Sequence, residues 1–330
     1  MNEQDLEIVG GEEAAPDLKK AKKAFSRLGF ALLAFLAVAS ALQVGAQYLL
    51  PTLPQSPLLQ WGLGYIVPLY VIGVPVALLI MRRVPAERVA PQSIGTGRLL
   101  LYLLMCFPVM YGGNLIGTLL SGMFSGGAAK NPLEGVVMGD ADWLQAVVLV
   151  VLAPLFEEFI FRKQLIDRIG RYGEKVAIFF SALTFGLFHG NLYQFFYAFG
   201  LGALFAWIYT RTRRLRYSVI LHMIVNFIGS VVAPWIVKQS QGGESLALDA
   251  ENAAENLAAM WPLALYGAAI IGLSIAGLVA LIRHRKRFVL QPTAEQLPKG
   301  TGFKVSCLNW GVILFTLVCI GVFAISLIAL

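Results

Sequence analysis

Charge is scarce in this sequence: 14% of its 330 residues are Asp, Glu, Lys or Arg, and 58% are hydrophobic. An average soluble domain is about one-quarter charged, so a soluble chain this poor in charge could not cover its own surface. Cysteine is scarce as well. Cys106, Cys307 and Cys319 lie in or at the edge of apolar runs with no ligand-like spacing. That argues against a disulfide framework or a thiolate metal site and for buried small hydrophobes. There is no long basic tail or aromatic-basic ribbon to go with the net charge of +7, so nucleic acid is not an expected partner. The basic residues instead flank the apolar runs, as lipid headgroups and membrane topology select.

Long apolar runs are what the sequence has in abundance. Residues 1–18 are polar and acidic and read as a disordered cytosolic tail. The cluster Lys19, Lys20, Lys22, Lys23 and Arg27 then precedes an apolar run over 28–50. This run is too long and too far along the chain for a signal-peptide core, so it reads as a first membrane helix. Further runs follow at about 58–81, 99–121, 143–161, 176–190, 193–210, 217–237, 261–282 and 305–329. The fifth and sixth are short and nearly contiguous. The pattern predicts an all-α polytopic transmembrane bundle of eight to nine spans.

Nine spans with a cytosolic amino terminus would place the tail with the basic cluster that follows it, 82–98, 162–175, 211–216 and 283–304 in the cytosol. Those segments hold every Lys and Arg except Lys130 and Lys238. The positive-inside rule therefore predicts the amino terminus inside and the carboxyl terminus outside, with the plasma (inner) membrane as the expected location. On the outer side, 122–142 is Gly-rich with Asp140 and Asp142. Residues 238–260, with Glu244, Asp249, Glu251 and Glu255, suggest a short interfacial helix. Four parts result: the tail 1–18, amino-terminal membrane helices 19–142, a core 143–230, and carboxyl-terminal helices 231–330. The last part contains a cytosolic linker near 283–304, marked by Pro292 and Pro298. No internal repeat is visible.

Charged side chains inside spans cost free energy and need a reason. Nearly all of them fall in the fourth to seventh spans. The fourth ends Ala153-Pro154-Leu155-Phe156-Glu157-Glu158-Phe159-Ile160-Phe161-Arg162. On a helix Glu158 and Arg162 share a face and can pair, while Glu157 is turned about 100° away and lacks a local partner. An unpaired carboxylate in a place of low dielectric suits a general base. Pro154 frees a carbonyl one turn earlier, which can kink the helix and admit water. The blander alternative puts both glutamates at the cytosolic interface, paired with Arg162, Lys163 and Arg168.

Two of the three histidines also lie in apolar runs. His189 ends Phe185-Gly186-Leu187-Phe188-His189, and His222 stands four before Asn226 on one helical face. Taken singly, each suits a hydrogen-bonded core histidine. Together with Glu157 they suit peptide hydrolysis, with Glu157 as base, His189 orienting water, and His222 and Asn226 stabilising an oxyanion. No serine or cysteine nucleophile stands in an evident motif, which leaves water as the attacker. The set Glu157, His189 and His222 also has the composition of a catalytic zinc site, although a helical HExxH arrangement is absent. Asn226 suits an oxyanion hole and is a poor zinc ligand, so no cofactor is favoured. The third histidine, His284, sits in Arg283-His284-Arg285-Lys286-Arg287 and reads as part of a headgroup-facing basic cluster.

In their order on successive spans, Glu157-Glu158-x-x-x-Arg162, Phe185-x-x-x-His189 and His222-x-x-x-Asn226 resemble the CPBP family. These are the prenyl-protein CAAX proteases and bacteriocin-processing enzymes, also called Abi proteins. The resemblance covers about residues 143–230. It implies an intramembrane endopeptidase with its site in a cavity open to the cytosol. By that analogy Glu157 and His189 activate water, His222 and Asn226 form the oxyanion hole, and Glu158 and Arg162 hold the site together. The implied partners are membrane lipid and a peptide or lipidated, CAAX-like protein substrate. A transporter or channel built on the same polar cluster, and a non-enzymatic membrane partner protein, are the competing expectations. Phe156, Phe159, Phe161, Phe195, Phe196 and Tyr197 are candidate cavity-lining aromatics, with core packing as the alternative. One tension accompanies the reading: measured from the proposed span ends, His189 lies about 10 Å farther from the cytosol than Glu157 and His222.

Overall fold

The computed structural model describes residues 17–128, 131, 143–240 and 253–328, and among them there is no strand. Nine long helical stretches follow one another among these residues. They are α1 (Leu18–Leu49), α2 (Pro57–Met81), α3 (Thr96–Ser125), α4 (Trp143–Tyr172), α5 (Glu174–Phe188), α6 (Leu192–Thr212), α7 (Leu215–Ser240), α8 (Ala253–His284) and α9 (Trp310–Ile328). Eight of them are long and apolar enough to cross a membrane. The chain is thus a multi-pass, all-α integral membrane protein.

The exception is α5, the expected fifth span. It has 15 residues, about 22 Å at the helical rise, against about 30 Å of bilayer hydrocarbon. Glycines with positive φ bound it, Gly173 (124°) before and Gly190 (70°) after. A residue with a Cβ adopts such conformations only under strain, so the chain turns at both ends. Even so, α5 runs antiparallel to α6, because Glu174 at its start pairs with Arg211 at the end of α6.

The same end of the bundle gathers all five basic segments that the charge pattern assigned to one side. Lys20 pairs with Glu295, and Arg27 donates to the carbonyl of Arg83. The amides of Glu87 and Gln92 donate to the carbonyls of Asp167 and Thr212. Arg171 faces Glu87 and Glu295, Arg213 pairs with Asp167, and the amide of Gln291 donates to Glu174. The linker after α8 is therefore a strap hydrogen-bonded across this end. These bonds support the one-sided placement of the basic segments.

Two large apolar clusters and a small one around Ile166, Ala206 and Tyr209 fill the bundle among the described residues. One large cluster joins α1, α2, α4, α5 and α9 around Phe25, Phe35, Phe161, Phe180 and Phe315. The other large cluster joins α3, α6 and α7 around Met105, Phe205, Ile208 and Leu221. The amino terminus of α6 seats closely on α3 because Gly113 and Gly117 stand at the contact. A Cβ at either would fall on the backbone of Tyr197 or Leu192, the small-residue logic of membrane helix packing. All three cysteines are buried and free.

Three boundaries differ from those expected. The fourth stretch does not stop at 161 but continues to Tyr172, because Arg162 is buried against Glu158 and does not mark an interface. At the amino terminus, helix α1 is already under way at Leu18, with Asp17 accepting from the amides of Lys19 and Lys20 as its cap; residues 1–16 of the expected tail lie outside the described residues. Asp140, Asp142, Glu244, Asp249 and Glu251 also lie outside them. From Ala253 the chain belongs to the long helix α8, so this part of 238–260 forms no separate interfacial helix.

Candidate active site

The irregular winding of α4 sets up the site. A six-residue α-helical piece, Ala153–Glu158, is flanked by π-helical turns at Val147–Leu152 and Phe159–Gln164. Such turns shift the register of the hydrogen bonds and often accompany functional sites. Both glutamates sit at the end of the central piece. Counted from the basic end, Glu157 lies 15 residues above Tyr172 and His189 lies 15 above Glu174. The 10 Å mismatch in depth between His189 and Glu157 therefore disappears once α4 is allowed its full length.

Glu158 and Arg162 are fully buried. The guanidinium donates twice to the carboxylate, Nε to Oε2 at 3.1 Å and Nη2 to Oε1 at 3.2 Å. A third bond runs from Nη1 to Oγ of Ser181 at 3.0 Å, and the Ser181 hydroxyl passes its own hydrogen to the carbonyl of Phe161. The Phe185 ring lies 4.5 Å from the guanidinium carbon. This buried pair is compensated on every side, as a desolvated ion pair must be to persist.

Glu157 has no arginine of its own. Its side chain retains one-quarter of its exposure, and Oε2 lies 3.6 Å from Nε2 of His222. The other nitrogen of that ring, Nδ1, is 3.1 Å from Oε1 of Glu158. Glu158, held anionic by Arg162, can only accept, so Nδ1 of His222 carries a hydrogen. The imidazole therefore spans the two carboxylates, anchored by the one that Arg162 neutralises and turned toward the one left open. The blander interfacial pairing is not what forms: Lys163 pairs with Asp167, and Arg168 bonds Gln164 and the carbonyl of Met81.

His189 follows the last turn of α5. Its Nδ1 lies 2.8 Å from the carbonyl of Phe185, an acceptor, so the hydrogen sits on Nδ1 and Nε2 offers a lone pair. The Phe185 ring meets both imidazoles edge-on, at 4.8 Å from His189 and 5.8 Å from His222. One phenylalanine thus props Arg162, His189 and His222 together, which gives the Phe-x-x-x-His spacing a physical purpose.

Asn226 stands one turn beyond His222, as expected, but its amide is partly engaged: Nδ2 donates to the carbonyl of Leu149 at 2.9 Å. One amide hydrogen remains for another acceptor. Among the described residues no group of three or more His, Cys, Asp or Glu side chains converges as a metal-binding set. Glu157, His189 and His222 share a neighbourhood without forming such a set.

Of the expected lining aromatics, Phe161 packs against Phe185 and Phe188 and also lines the small cavity at Glu157, whereas Phe195 packs on Phe199 and Phe323. Phe156 does face the site. It stacks on Tyr70 with ring centroids 4.6 Å apart, and with Phe35 and Phe188 it lines a small cavity that reaches Glu157. Tyr70, from α2, and Ser181, from α5, were not singled out from the sequence. A buried guanidinium with five N–H groups demands more acceptors than one carboxylate offers, but no spacing says where the additional one lies.

Residues 139–228 match the family model described as type II CAAX prenyl endopeptidase Rce1-like. Among curated proteins, "Putative membrane peptidase YdiL" of Bacillus subtilis (strain 168) is 28% identical over 162 residues. That alignment covers 46% of this chain and 64% of the relative. "Membrane-embedded CAAX protease MroQ" of Staphylococcus aureus (strain USA300) is 31% identical over 83 residues, covering 23% of this chain and 34% of the relative. The match therefore spans less than two-thirds of either relative. No solved structure matches the chain at a significant level. Residues 139–228, which hold Glu157, Glu158, Arg162, His189, His222 and Asn226, are therefore similar to the Rce1-like CAAX endopeptidases.

Proposed function

We propose that the chain is an intramembrane endopeptidase of the glutamate type, hydrolysing a peptide bond in a membrane-associated or lipidated, CAAX-like protein or peptide. The observation that carries this reading is the unequal treatment of two adjacent carboxylates. Glu158 is consumed by Arg162, while among the described residues the charged or titratable neighbour nearest Glu157 is the Nε2 edge of His222. A base must be free to take a proton, and Glu157 is the free one.

In this mechanism Glu157 accepts one proton from water, and Nε2 of His189 receives the hydrogen bond of the other. The water oxygen attacks the scissile carbonyl carbon. The oxyanion that forms is stabilised by the His222 imidazole and by the second N–H of Asn226. Glu157 then passes its proton to the amine nitrogen as the carbon–nitrogen bond breaks, leaving an amine and a carboxylic acid that keeps the second hydrogen of the water. The aromatic cavity at Glu157, lined by Phe35, Tyr70, Phe156, Phe161 and Phe188, has a volume of about 30 Å³, the size of a single water molecule, which supports water as the attacking group. The reading assigns the bundle to the plasma (inner) membrane, with the basic end and the amino terminus in the cytosol. The zinc version of the mechanism would need Glu157, His189 and His222 to close on one point.

The test is hydrolysis of a peptide panel, including peptides ending in a farnesylated Cys-aliphatic-aliphatic-X sequence, by detergent-purified protein with and without a chelator. Cleavage that survives the chelator is the expected result. Cleavage abolished by the chelator and restored by Zn²⁺ would replace the glutamate mechanism with the metal one. If Glu157→Gln and His189→Ala cleaved as fast as wild type, the assignment of the site would be wrong.

A further inference from the structure

Asn226 is aimed by a hydrogen-bonding defect in a neighbouring helix. Within the π-helical turn Val147–Leu152, the amide of Ala153 bonds the carbonyl of Val148, five residues back. Continuing that register assigns the carbonyl of Leu149 to the amide of residue 154. Residue 154 is proline, which has no amide hydrogen, so the Leu149 carbonyl is left over inside the bundle. A carbonyl partly withdrawn from water, as that of Leu149 is, costs free energy when it has no donor. The donor it finds is Nδ2 of Asn226, at 2.9 Å.

We propose that Pro154 is a positioning residue for the proposed reaction: by withholding an amide hydrogen it reserves the Leu149 carbonyl as a latch that holds Asn226 toward the site. One amide hydrogen of Asn226 is spent on the latch. Because a carboxamide is planar, this fixes the plane and direction of the remaining one. The anchoring is local to the chemistry, since Pro154 lies three residues before Glu157 on α4 and Asn226 one turn beyond His222 on α7. A freely rotating asparagine would pay the cost of orientation in each turnover, whereas a latched one has already paid it. The proline therefore acts by what it lacks, beyond any kink it introduces.

The inference rests on the endopeptidase reading for its catalytic consequence but not for its geometry, and two measurements separate them. Pro154→Ala restores an amide hydrogen to the Leu149 carbonyl and removes a helix-disfavouring residue, so its thermal midpoint should equal or exceed that of wild type. In Asn side-chain ¹⁵N spectra assigned with Asn226→Ala, one wild-type N–H of Asn226 should exchange slowly with solvent and should lose that protection in Pro154→Ala. An Asn226 signal unprotected in wild type, or unchanged in Pro154→Ala, overturns the latch whether or not a substrate is in hand.

On a peptide that the wild type cleaves, Pro154→Ala should lower kcat about tenfold or more with little change in KM. The same substitution should cost little when Asn226 is already Ala. An unchanged kcat, or losses that multiply across the double variant, overturn the positioning role. If Glu157→Gln hydrolyses normally, the assignment of Glu157 as the base falls, and the exchange result still decides the latch.

Discussion

Two regions of the bundle concentrate charge, and they treat it in opposite ways. At the basic end, carboxylates meet an excess of cations and hydroxyls. Asp167 receives Lys163, Arg213 and the hydroxyl of Tyr209, while Glu174 receives Arg211 and the amide of Gln291. Midway along α4, two carboxylates share one arginine, and it goes wholly to Glu158. The first region is a clamp that ties loops together. The second is arranged so that one carboxylate is satisfied and its neighbour is not. Full compensation builds structure, and a deliberate shortfall leaves a group able to exchange protons.

The comparison breaks most sharply at Arg162. Replacing it with Ala strands Glu158 in the core and should cost about 3–5 kcal/mol of stability, read as a fall in the thermal midpoint in detergent. Lys at the same position should not restore it, because a lysine cannot make the forked contact to Glu158 and also reach Ser181. At the basic end the effect shrinks. Asp167→Asn loses a charge that accepts from three partners, a loss of about 1.5–3 kcal/mol by the same measurement. The smallest effect belongs to the exposed pair Lys20–Glu295, where the lysine side chain is 59% exposed. Lys20→Ala should cost less than about 1 kcal/mol, and the difference from wild type should vanish in high salt.

Much of this was legible in the sequence because a bilayer makes charge conspicuous. Glu157, Glu158 and Arg162 stand out in an apolar run, and their spacing put one glutamate with the arginine and left the other alone, as the structure has it. The confinement of Lys and Arg to a few short segments marked which loops meet at one end. What escaped was whatever depends on where a helix stops or how it is wound. Arg162 and Lys163 look like the end of a span, yet the helix continues past them because the Arg162 charge is cancelled internally, and the apparent depth mismatch of His189 came from that error. The link between Asn226 and Leu149 requires the π-helical register of Val147–Leu152, which no residue pattern announces. Ser181 bonds Arg162 across 19 positions, a contact that only the packing of α5 on α4 creates. The shortness of α5 follows from Gly173 and Gly190, whose positive φ values cannot be told from those of other glycines by sequence.

The central claim is that Glu157 does chemistry and Glu158 holds structure, and the most direct measurement compares Glu157→Gln with Glu158→Gln for both cleavage and thermal midpoint. The account predicts that Glu157→Gln keeps the wild-type midpoint and loses about 10²-fold or more of kcat. It predicts that Glu158→Gln, which leaves Arg162 unneutralised, lowers the midpoint markedly. A Glu157→Gln protein that cleaves at the wild-type rate, or a Glu158→Gln protein as stable as wild type, would contradict it.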